Sequence, residues 1–209
     1  MKQADDLIAQ TQLMGLSVSP LQAEQLLLYL GLMSKWNKVH NLTALRDPDQ
    51  MISHHLLDSL SVIPYVSPGS LLDVGSGAGL PGIPLALVNP GQAITLIDSN
   101  QKKVSFLRQA VIELNLKNVT VAAGRVEELQ TDLRFNGIIS RAFSDINQFI
   151  NKTRHLLAKK GNWYAMKGLY PDFELQQLPA GVVVQTAQPL IVPLLNAQRH
   201  LLIMKEADG

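Results

Sequence analysis

The chain has 209 residues, 46% of them hydrophobic, which is enough for one domain with a buried core. The absence of cysteine excludes disulfide bonds, cysteine-ligated metal sites and thiolate nucleophiles, and it fits a reducing cytosol. A formal net charge of +1 is too small for nucleic-acid binding by bulk charge, so any such binding needs a local patch of basic residues.

The N-terminal third has the periodicity of helices. Its first residues carry two acids and lead into no long apolar run, so we expect no signal peptide or membrane anchor and a soluble, cytoplasmic protein. Ser19, Pro20 and Gln22 have the spacing of a capping box with proline at the first helical position, which predicts a helix start. The stretch 47–50 repeats this pattern before a second apolar run. We therefore predict a helical cap over residues 1–67, packed on the rest of the chain. The apolar face of its first predicted helix comprises Leu26, Leu27, Leu30, Met33 and Trp36.

From residue 68 onward, short apolar strands alternate with helical stretches, which predicts an α/β fold with a mostly parallel sheet. The last two strands have only a loop between them, which favours an antiparallel pair at the sheet edge. Seven strands ending in this way resemble the Rossmann-like class I methyltransferase fold more than a dinucleotide dehydrogenase, and we assign 68–209 to that core. The predicted strands are 70–74, 93–97, 119–122, 135–140, 162–166, 182–186 and 200–204.

A glycine-rich turn follows the first of these strands. Gly75, Gly77 and Gly79 let the backbone approach a ligand closely, whereas Gly77, Gly79 and Gly82 also satisfy a dinucleotide-binding pattern. Asp73, at the strand end, would repel a pyrophosphate but suits the cationic amino and sulfonium groups of S-adenosylmethionine. Charge therefore favours the methyl donor as cofactor over a dinucleotide, with a turn that merely connects strand to helix as a third interpretation.

Three further positions are candidates for holding the adenosine part of that cofactor. Asp98 ends the second predicted strand at the spacing where an acid meets ribose hydroxyls, although it could instead cap the following helix. Val126 and Glu127 follow the third strand, where this fold holds adenine. Glu127 could also be an ordinary solvated surface charge.

The candidates for the methylated atom can be narrowed by elimination. Carbon methylation of pyrimidines normally needs a cysteine, and the proline-rich motif of exocyclic amine methyltransferases is replaced here by residues 140–143. His54 and Asp58 stand four residues apart on a predicted helix, but no third metal ligand is evident, so we expect no metal. A purine ring nitrogen, which has a free lone pair, remains. Arg141 and Lys167 end the fourth and fifth strands and would position donor and acceptor, unless they are only solvated strand-end charges.

The chain closely resembles the RsmG (GidB) family along almost its whole length. The most specific similarity is the extended L-P-G-I-P after the glycine turn, together with the K-W-N and N-L-T segments of the helical cap. The resemblance implies N(7)-methylation of one guanosine in the 530-loop region of bacterial 16S ribosomal RNA, on the small ribosomal subunit. It also implies cofactor contacts from Gly75, Leu80, Val126, Glu127 and Arg141 and RNA contacts from Asn41, Arg125, Lys167 and Arg199.

Two details of this assignment rest on neighbouring residues. Gln198 stands where the family commonly has an acid, which affects the rim near Arg199. Asn41 lies among basic residues, so it could begin an RNA-binding patch, whereas Trp36 could be a core residue only.

A small-molecule methyltransferase and an RNA-binding module that has lost catalysis are the alternative functions. We expect a monomer with no obligate protein partner.

Overall fold

The N-terminal third is helical, as predicted. The computed structural model describes residues 2–141, 143 and 145–207, apart from the side chains of residues 48 and 49, so the motif residue Ala142 lies outside the described residues. The helices are α1 (Lys2–Leu13), α2 (Pro20–His40) and α3 (Pro48–Met51), which continues through a π-helical segment (Ile52–Leu57) into α4 (Asp58–Leu60); a 3₁₀ turn (Ile63–Tyr65) follows.

The predicted capping box at the start of α2 is confirmed. The Ser19 hydroxyl accepts from the Gln22 backbone N–H at 3.3 Å, and the Gln22 side chain accepts from the Ser19 N–H at 2.9 Å. The amide nitrogen of Gln22 also donates to the carbonyls of Leu87 and Val88. The residue that begins α2 therefore also satisfies backbone acceptors in the second part of the chain.

The sheet has seven strands in the order β3-β2-β1-β4-β5-β7-β6, and each overlaps a predicted strand, although β5 begins at Leu157 and not at 162. Strands β1 to β5 pair in parallel, and β7 pairs antiparallel with both β5 and β6. The antiparallel pair at the sheet edge is confirmed, with one refinement: the antiparallel strand β7 lies one place inside the edge, and β6 forms the edge itself. The strands are β1 (Leu71–Val74), β2 (Ile94–Asp98), β3 (Val119–Ala123), β4 (Phe135–Ser140), β5 (Leu157–Lys167), β6 (Val182–Pro189) and β7 (His200–Glu206).

Helices cover both faces of the sheet. They are α5 (Gly82–Val88), α6 (Gln101–Glu113), α7 (Ile146–Thr153) and the short α8 (Asp172–Leu175). One hydrophobic cluster includes Leu26, Tyr29 and Met33 of α2 together with Leu71 of β1 and Ile83 of α5. The helical region and the sheet therefore share a core, while a domain boundary at residue 68 stays a prediction.

The carboxyl ends of β1 to β5 lie along one side of the sheet, named here the strand edge. The start of β7 lies there too, because β7 runs the opposite way. Ligands of open α/β sheets bind outside this edge. In the part of the chain that the structure describes, no helix has both the length and the apolar character to cross a membrane.

Candidate active site

The glycine turn after β1 has the backbone that its sequence predicts. Gly75, Gly77 and Gly79 have φ angles of 66°, 60° and 89°, in the left-handed region that glycine adopts without strain. A side-chain carbon on Gly77 would lie 3.8 Å from the Gly75 carbonyl oxygen and 4.0 Å from the Lys103 amine, so the space beside this glycine is open. The turn thus has an open backbone surface at the strand edge, whatever ligand it serves.

Asp73 lies beneath the turn. Its side chain is fully buried, and one carboxylate oxygen accepts from the Gly82 backbone N–H at 2.9 Å. The other oxygen, Oδ1, is buried without a hydrogen-bond partner among the described residues. Burial raises the pKa of Asp73 to about 7, against the opposing effects of the Gly82 hydrogen bond and the Arg141 charge.

The close packing of Asp73 explains part of the L-P-G-I-P segment. A side chain at Gly82 would collide with Leu96 and lie 2.8 Å from the Asp73 carboxylate, so only glycine lets α5 begin there. Leu80, a predicted cofactor residue, is almost fully buried in the hydrophobic core. In this structure the segment packs under the glycine turn and anchors α5 to Asp73. The predicted contacts of Asp73 and Leu80 with a cofactor stay predictions.

A cavity of about 490 Å³ lies along the turn and is named here the glycine-turn cavity. Asp98 lines it at the end of β2, where Oδ2 accepts from the Gly77 N–H and Oδ1 from the Asn100 N–H, each at 2.8 Å. The N-terminal cap of α6 is Asn100, whose side chain accepts from Lys102 and Lys103. The alternative role of Asp98 as the helix cap is therefore wrong, and its carboxylate serves the turn instead. The lining comprises Val74, Gly75, Ile97, Asp98, Ser99, Lys103, Gly124, Arg125, Val126, Glu127, Phe143 and Lys152.

Val126 and Glu127 lie together in the same cavity, on a 3₁₀ turn after β3. Val126 is buried, whereas Glu127 is largely exposed and pairs with Lys152 at 3.2 Å. A hydrogen bond from its own backbone, helped by Lys152, lowers the pKa of the Glu127 carboxyl below its usual value. Arg125, predicted to contact RNA, lines this cavity as well and is exposed.

Helix α2 reaches the glycine turn through Tyr29, which the sequence did not single out. The Tyr29 side chain is fully buried, and its hydroxyl donates to the Ala78 carbonyl at 2.5 Å. Burial raises the pKa of Tyr29 well above its usual value, so the hydroxyl stays a donor at any physiological pH. Trp36 is half-buried and packs edge-on against Phe106 of α6, so in this structure it packs against the hydrophobic core that the helical region shares with the sheet region.

A second cavity of about 350 Å³ lies further along the strand edge and is named here the strand-end cavity. Three basic residues line it: Arg141 just after β4, Lys167 at the end of β5 and Arg199 just before β7. These residues are far apart in the chain, and the sheet brings them together. The lining also contains Leu45, His54, His55, Asp58, Met166, Gly168, Leu190 and His200.

Lys167 is held at the boundary between the two cavities. Its amine donates to both carboxylate oxygens of Glu174, at 2.9 and 2.8 Å, and to the Phe143 carbonyl at 3.3 Å. Its side chain is 11% exposed. Phe143 lines the glycine-turn cavity, so the two cavities adjoin through this contact. The alternative that Lys167 is only a solvated strand-end charge is wrong.

Arg141 does not line the glycine-turn cavity. Its Nη1 donates to the His54 carbonyl at 3.0 Å and to Asp58 Oδ2 at 3.3 Å. Arg199 donates from Nε to Asp58 Oδ1 at 3.0 Å. One buried carboxylate thus links both arginines, so neither is only a solvated charge, and the contact of Arg141 with a cofactor stays a prediction.

The segment that carries Asp58 is π-helical, which the apolar periodicity did not reveal. The Asp58 N–H donates to the Ser53 carbonyl five residues back. His55 is buried, and its ring nitrogen Nε2 lies 3.0 Å from the Thr43 hydroxyl. Burial, together with the charge of Arg141, lowers the pKa of His55 to about 4, so the ring is neutral at pH 7. Among the described residues, no three histidine, cysteine or acidic side chains form a group that could hold a metal ion.

The N-L-T segment after α2 has a structural role at its centre. Asn41 closes the helix in the left-handed conformation, with φ 50°, which asparagine tolerates. Asn37 donates to the Leu45 carbonyl and accepts from the Thr43 N–H at 2.9 Å, which fixes the loop beside His55. Asn41 itself is exposed and lines neither of the two cavities, so its RNA contact stays a prediction.

The glycine-turn cavity fits S-adenosylmethionine. A side-chain carbon at Gly124 would meet nothing within 4 Å, so the cavity has room beside the backbone after β3. Asp98 offers acceptors at the end of β2, and the Asp73 oxygen that has no hydrogen-bond partner among the described residues is buried beside the turn. An acid near the ribose hydroxyls and an acid near the cationic amino and sulfonium groups are what this cofactor requires, and the volume is that of a small-molecule site.

The sheet order and the site at its glycine turn define a class I methyltransferase dependent on S-adenosylmethionine. Solved structures agree on the fold: the glycopeptide N-methyltransferase MtfA complexed with S-adenosylmethionine has a TM-score of 0.63, with 13% identity over 74% of this chain and 88% of that one. TrmN from Thermus thermophilus has a TM-score of 0.55, with 14% identity over 74% of this chain and 53% of that one.

The family follows from closer relatives. The model of the family described as "rRNA small subunit methyltransferase G" matches residues 22–202. The protein named ribosomal RNA small subunit methyltransferase G from Pseudomonas entomophila is 52% identical over 97% of this chain and 94% of its own length. The protein of the same name from Methylobacillus flagellatus is 54% identical over 91% of this chain and 92% of its own. The chain belongs to the rRNA small subunit methyltransferase G family.

Proposed function

We propose that this enzyme methylates the N(7) of one guanosine in the 530-loop region of 16S ribosomal RNA. The observation that carries the proposal is the pair of adjoining cavities at one strand edge. One fits the cofactor, and the other has three basic residues, Arg141, Lys167 and Arg199, for an anionic acceptor. Family membership supports the same acceptor.

Methyl transfer to this nitrogen requires the protein mainly to align the methyl donor with the acceptor. The cofactor supplies an electrophilic methyl group on a sulfonium. The seven-position nitrogen of guanine has a lone pair, so no proton has to be removed and no general base is required. Asp98 and the glycine turn hold the donor side, while Arg141 and Lys167 position the acceptor side. Neutral His55, buried beside Arg141, adds no charge to this site at pH 7.

The RNA-facing surface combines both parts of the chain. We assign Asn41, Arg125, Lys167 and Arg199 to RNA contacts, residues 1–67 to a cap and residues 68–209 to the catalytic core. Phosphate contacts from a local basic patch would give salt-dependent affinity despite the net charge of +1. The same proposal places the protein in the cytoplasm, acting as a monomer on the small ribosomal subunit.

The function is tested with isotopically labelled methyl donor and small subunits from a bacterial strain that lacks the modification. We expect label in a single guanosine of 16S ribosomal RNA, recovered as 7-methylguanosine after digestion. Label confined to small molecules would favour the small-molecule alternative, and cofactor binding without any transfer would favour an RNA-binding module.

Replacing Lys167 is expected to separate catalysis from cofactor binding. Lys167→Ala removes a buried cation from the strand-end cavity, so kcat should fall by about a hundredfold, a typical loss for one electrostatic group. Affinity for the cofactor should change by no more than roughly threefold, because Lys167 does not line the glycine-turn cavity. Single-turnover methylation and calorimetry measure the two effects.

The matched control is Lys159→Ala, which removes an exposed lysine near the other end of β5. It should leave both quantities unchanged. Equal losses of kcat and of cofactor affinity in Lys167→Ala would count against the place assigned to Lys167.

A further inference from the structure

Asp58 forms the centre of a charged cluster that joins three distant segments. Its side chain is 4% exposed, and its two oxygens accept from Arg141, after β4, and from Arg199, before β7. Arg141 is 83 residues away in the chain and Arg199 is 141 residues away. The π-helical segment places Asp58 between them and turns the His54 carbonyl toward Arg141 as well.

Such a cluster is a poor source of stability. Burying a carboxylate between two guanidinium groups costs desolvation that well-packed apolar side chains would avoid. The arginine side chains are 28% and 23% exposed and line the strand-end cavity, so they meet whatever enters it. The geometry therefore fixes two hydrogen-bond donors in the wall of the strand-end cavity.

The charge of the cluster bears on the reaction proposed above. The N(7)–methyl bond forms with the guanine lone pair as the methyl–sulfur bond breaks and its electrons pass to sulfur. The purine ring therefore gains one positive charge, and no proton leaves. Two uncompensated guanidinium groups beside the ring would oppose this change, whereas the Asp58 carboxylate reduces their joint charge from +2 to +1.

We propose that Asp58 is a positioning residue for methyl transfer: it orients Arg141 and Arg199 in the strand-end cavity and offsets their charge as the target guanine becomes cationic. This inference rests on the proposed function. It assigns to Asp58 neither a contact with the cofactor nor a proton transfer. Its effect on the reaction acts through the two arginines.

Asp58→Asn is the test, because it removes the charge and keeps the shape of the side chain. We expect kcat on small subunits to fall about tenfold or more, the effect of losing one coupling within a charged cluster. KM for the subunits should stay unchanged or fall, since RNA is a polyanion and now meets one more uncompensated positive charge. Cofactor affinity should change little by calorimetry, since neither Asp58 nor the two arginines that it binds line the glycine-turn cavity.

A second variant separates positioning from a purely structural role. Arg199→Gln added to Asp58→Asn restores the net charge of the cluster, so kcat should recover at least partly while KM rises through the lost RNA contact. Glu206→Gln is the matched control: it breaks the exposed Arg154–Glu206 pair at the far end of β7 and should alter neither constant.

The outcomes are distinct. Unchanged kcat in Asp58→Asn would overturn the inference. It would also be overturned if kcat, cofactor affinity and thermal stability fell together without recovery in the double variant, because that pattern is structural damage. Wild-type protein run in parallel reports on the proposed function: if it labels no RNA, both proposals fail, whereas an active wild type with an unaffected variant defeats the role of Asp58 alone.

Discussion

Asp98→Ala is expected to weaken binding of S-adenosylmethionine by about a hundredfold or more. The carboxylate lies in the glycine-turn cavity, and its proposed hydrogen bonds to the two ribose hydroxyls are charge-assisted, at roughly 1.5–3 kcal/mol each. Removing it also leaves the Gly77 N–H without the Asp98 Oδ2 acceptor at 2.8 Å, so the turn loses one of its ties to β2 and keeps the backbone hydrogen bonds from Gly75 and Ser76 to the Ile97 carbonyl. Titration calorimetry with the cofactor and with its demethylated product measures the loss.

Asn100→Ala provides the matched control for this variant. Asn100 is the true cap of α6, so its loss should cost about 1 kcal/mol of stability and leave the carboxylate of Asp98 in place. Cofactor affinity should then change only a few-fold. Equal losses of affinity in both variants would show that local unfolding of α6, and not the ribose contact, explains the effect of Asp98→Ala.

The sheet and the glycine turn were predictable because their determinants are local in sequence. Alternating apolar runs and the Pro-Gly turn at 68 and 69 mark the start of the sheet region, and β1 and β4 lie where those patterns put them. The capping box at Ser19 is equally local. The insertion of β7 between β5 and β6 was not predictable in detail, since strand order depends on pairing between segments with no shared local pattern.

The site was predictable in its residues more than in its contacts. Arg141 and Lys167 stand at strand ends, so their convergence follows from a parallel sheet, but their partners Asp58 and Glu174 lie on other elements. In the sequence, Asp58 stands out only as half of an incomplete metal-ligand pair with His54. The π-helical turn that brings it to both arginines has no signature in an apolar period of 3.6 residues.

Asp73→Asn is expected to remove a pH dependence of stability from the cofactor-free protein. The folded-state pKa of Asp73 is about 7, above its unfolded value, because the carboxyl is buried. A raised pKa means that the Asp73 carboxylate binds its proton more tightly in the folded state than in the unfolded state. The stabilising contribution is therefore full below about pH 4, falls as pH rises, and is gone above about pH 7, a span worth on the order of 4 kcal/mol. Denaturant unfolding at pH 6 and at pH 8 measures this effect. From pH 6 to pH 8, the free energy of unfolding of the wild type should fall relative to that of the variant.

The same group should make cofactor binding depend on pH. A cationic ligand beside Asp73 favours the ionised carboxylate, so binding to wild type should tighten as pH rises through about 7 and release a proton. Asp73→Asn keeps an acceptor for the Gly82 N–H but has no charge to offer, so its affinity should be lower and should not share this rise. Calorimetry in buffers of different ionisation enthalpy measures both the affinity and the released proton.

The variant also separates charge from architecture in the turn. Asp73→Ala loses the acceptor for Gly82 together with the charge, and it leaves a void beside Leu96, so it should weaken both the fold and cofactor binding. If Asp73→Asn bound the cofactor as tightly as wild type at pH 8, then the carboxylate would serve only to anchor α5. The preference of the turn for a cationic donor would in that case have to come from Asp98 and the open backbone of the glycines, because Asp73 would contribute no charge to it.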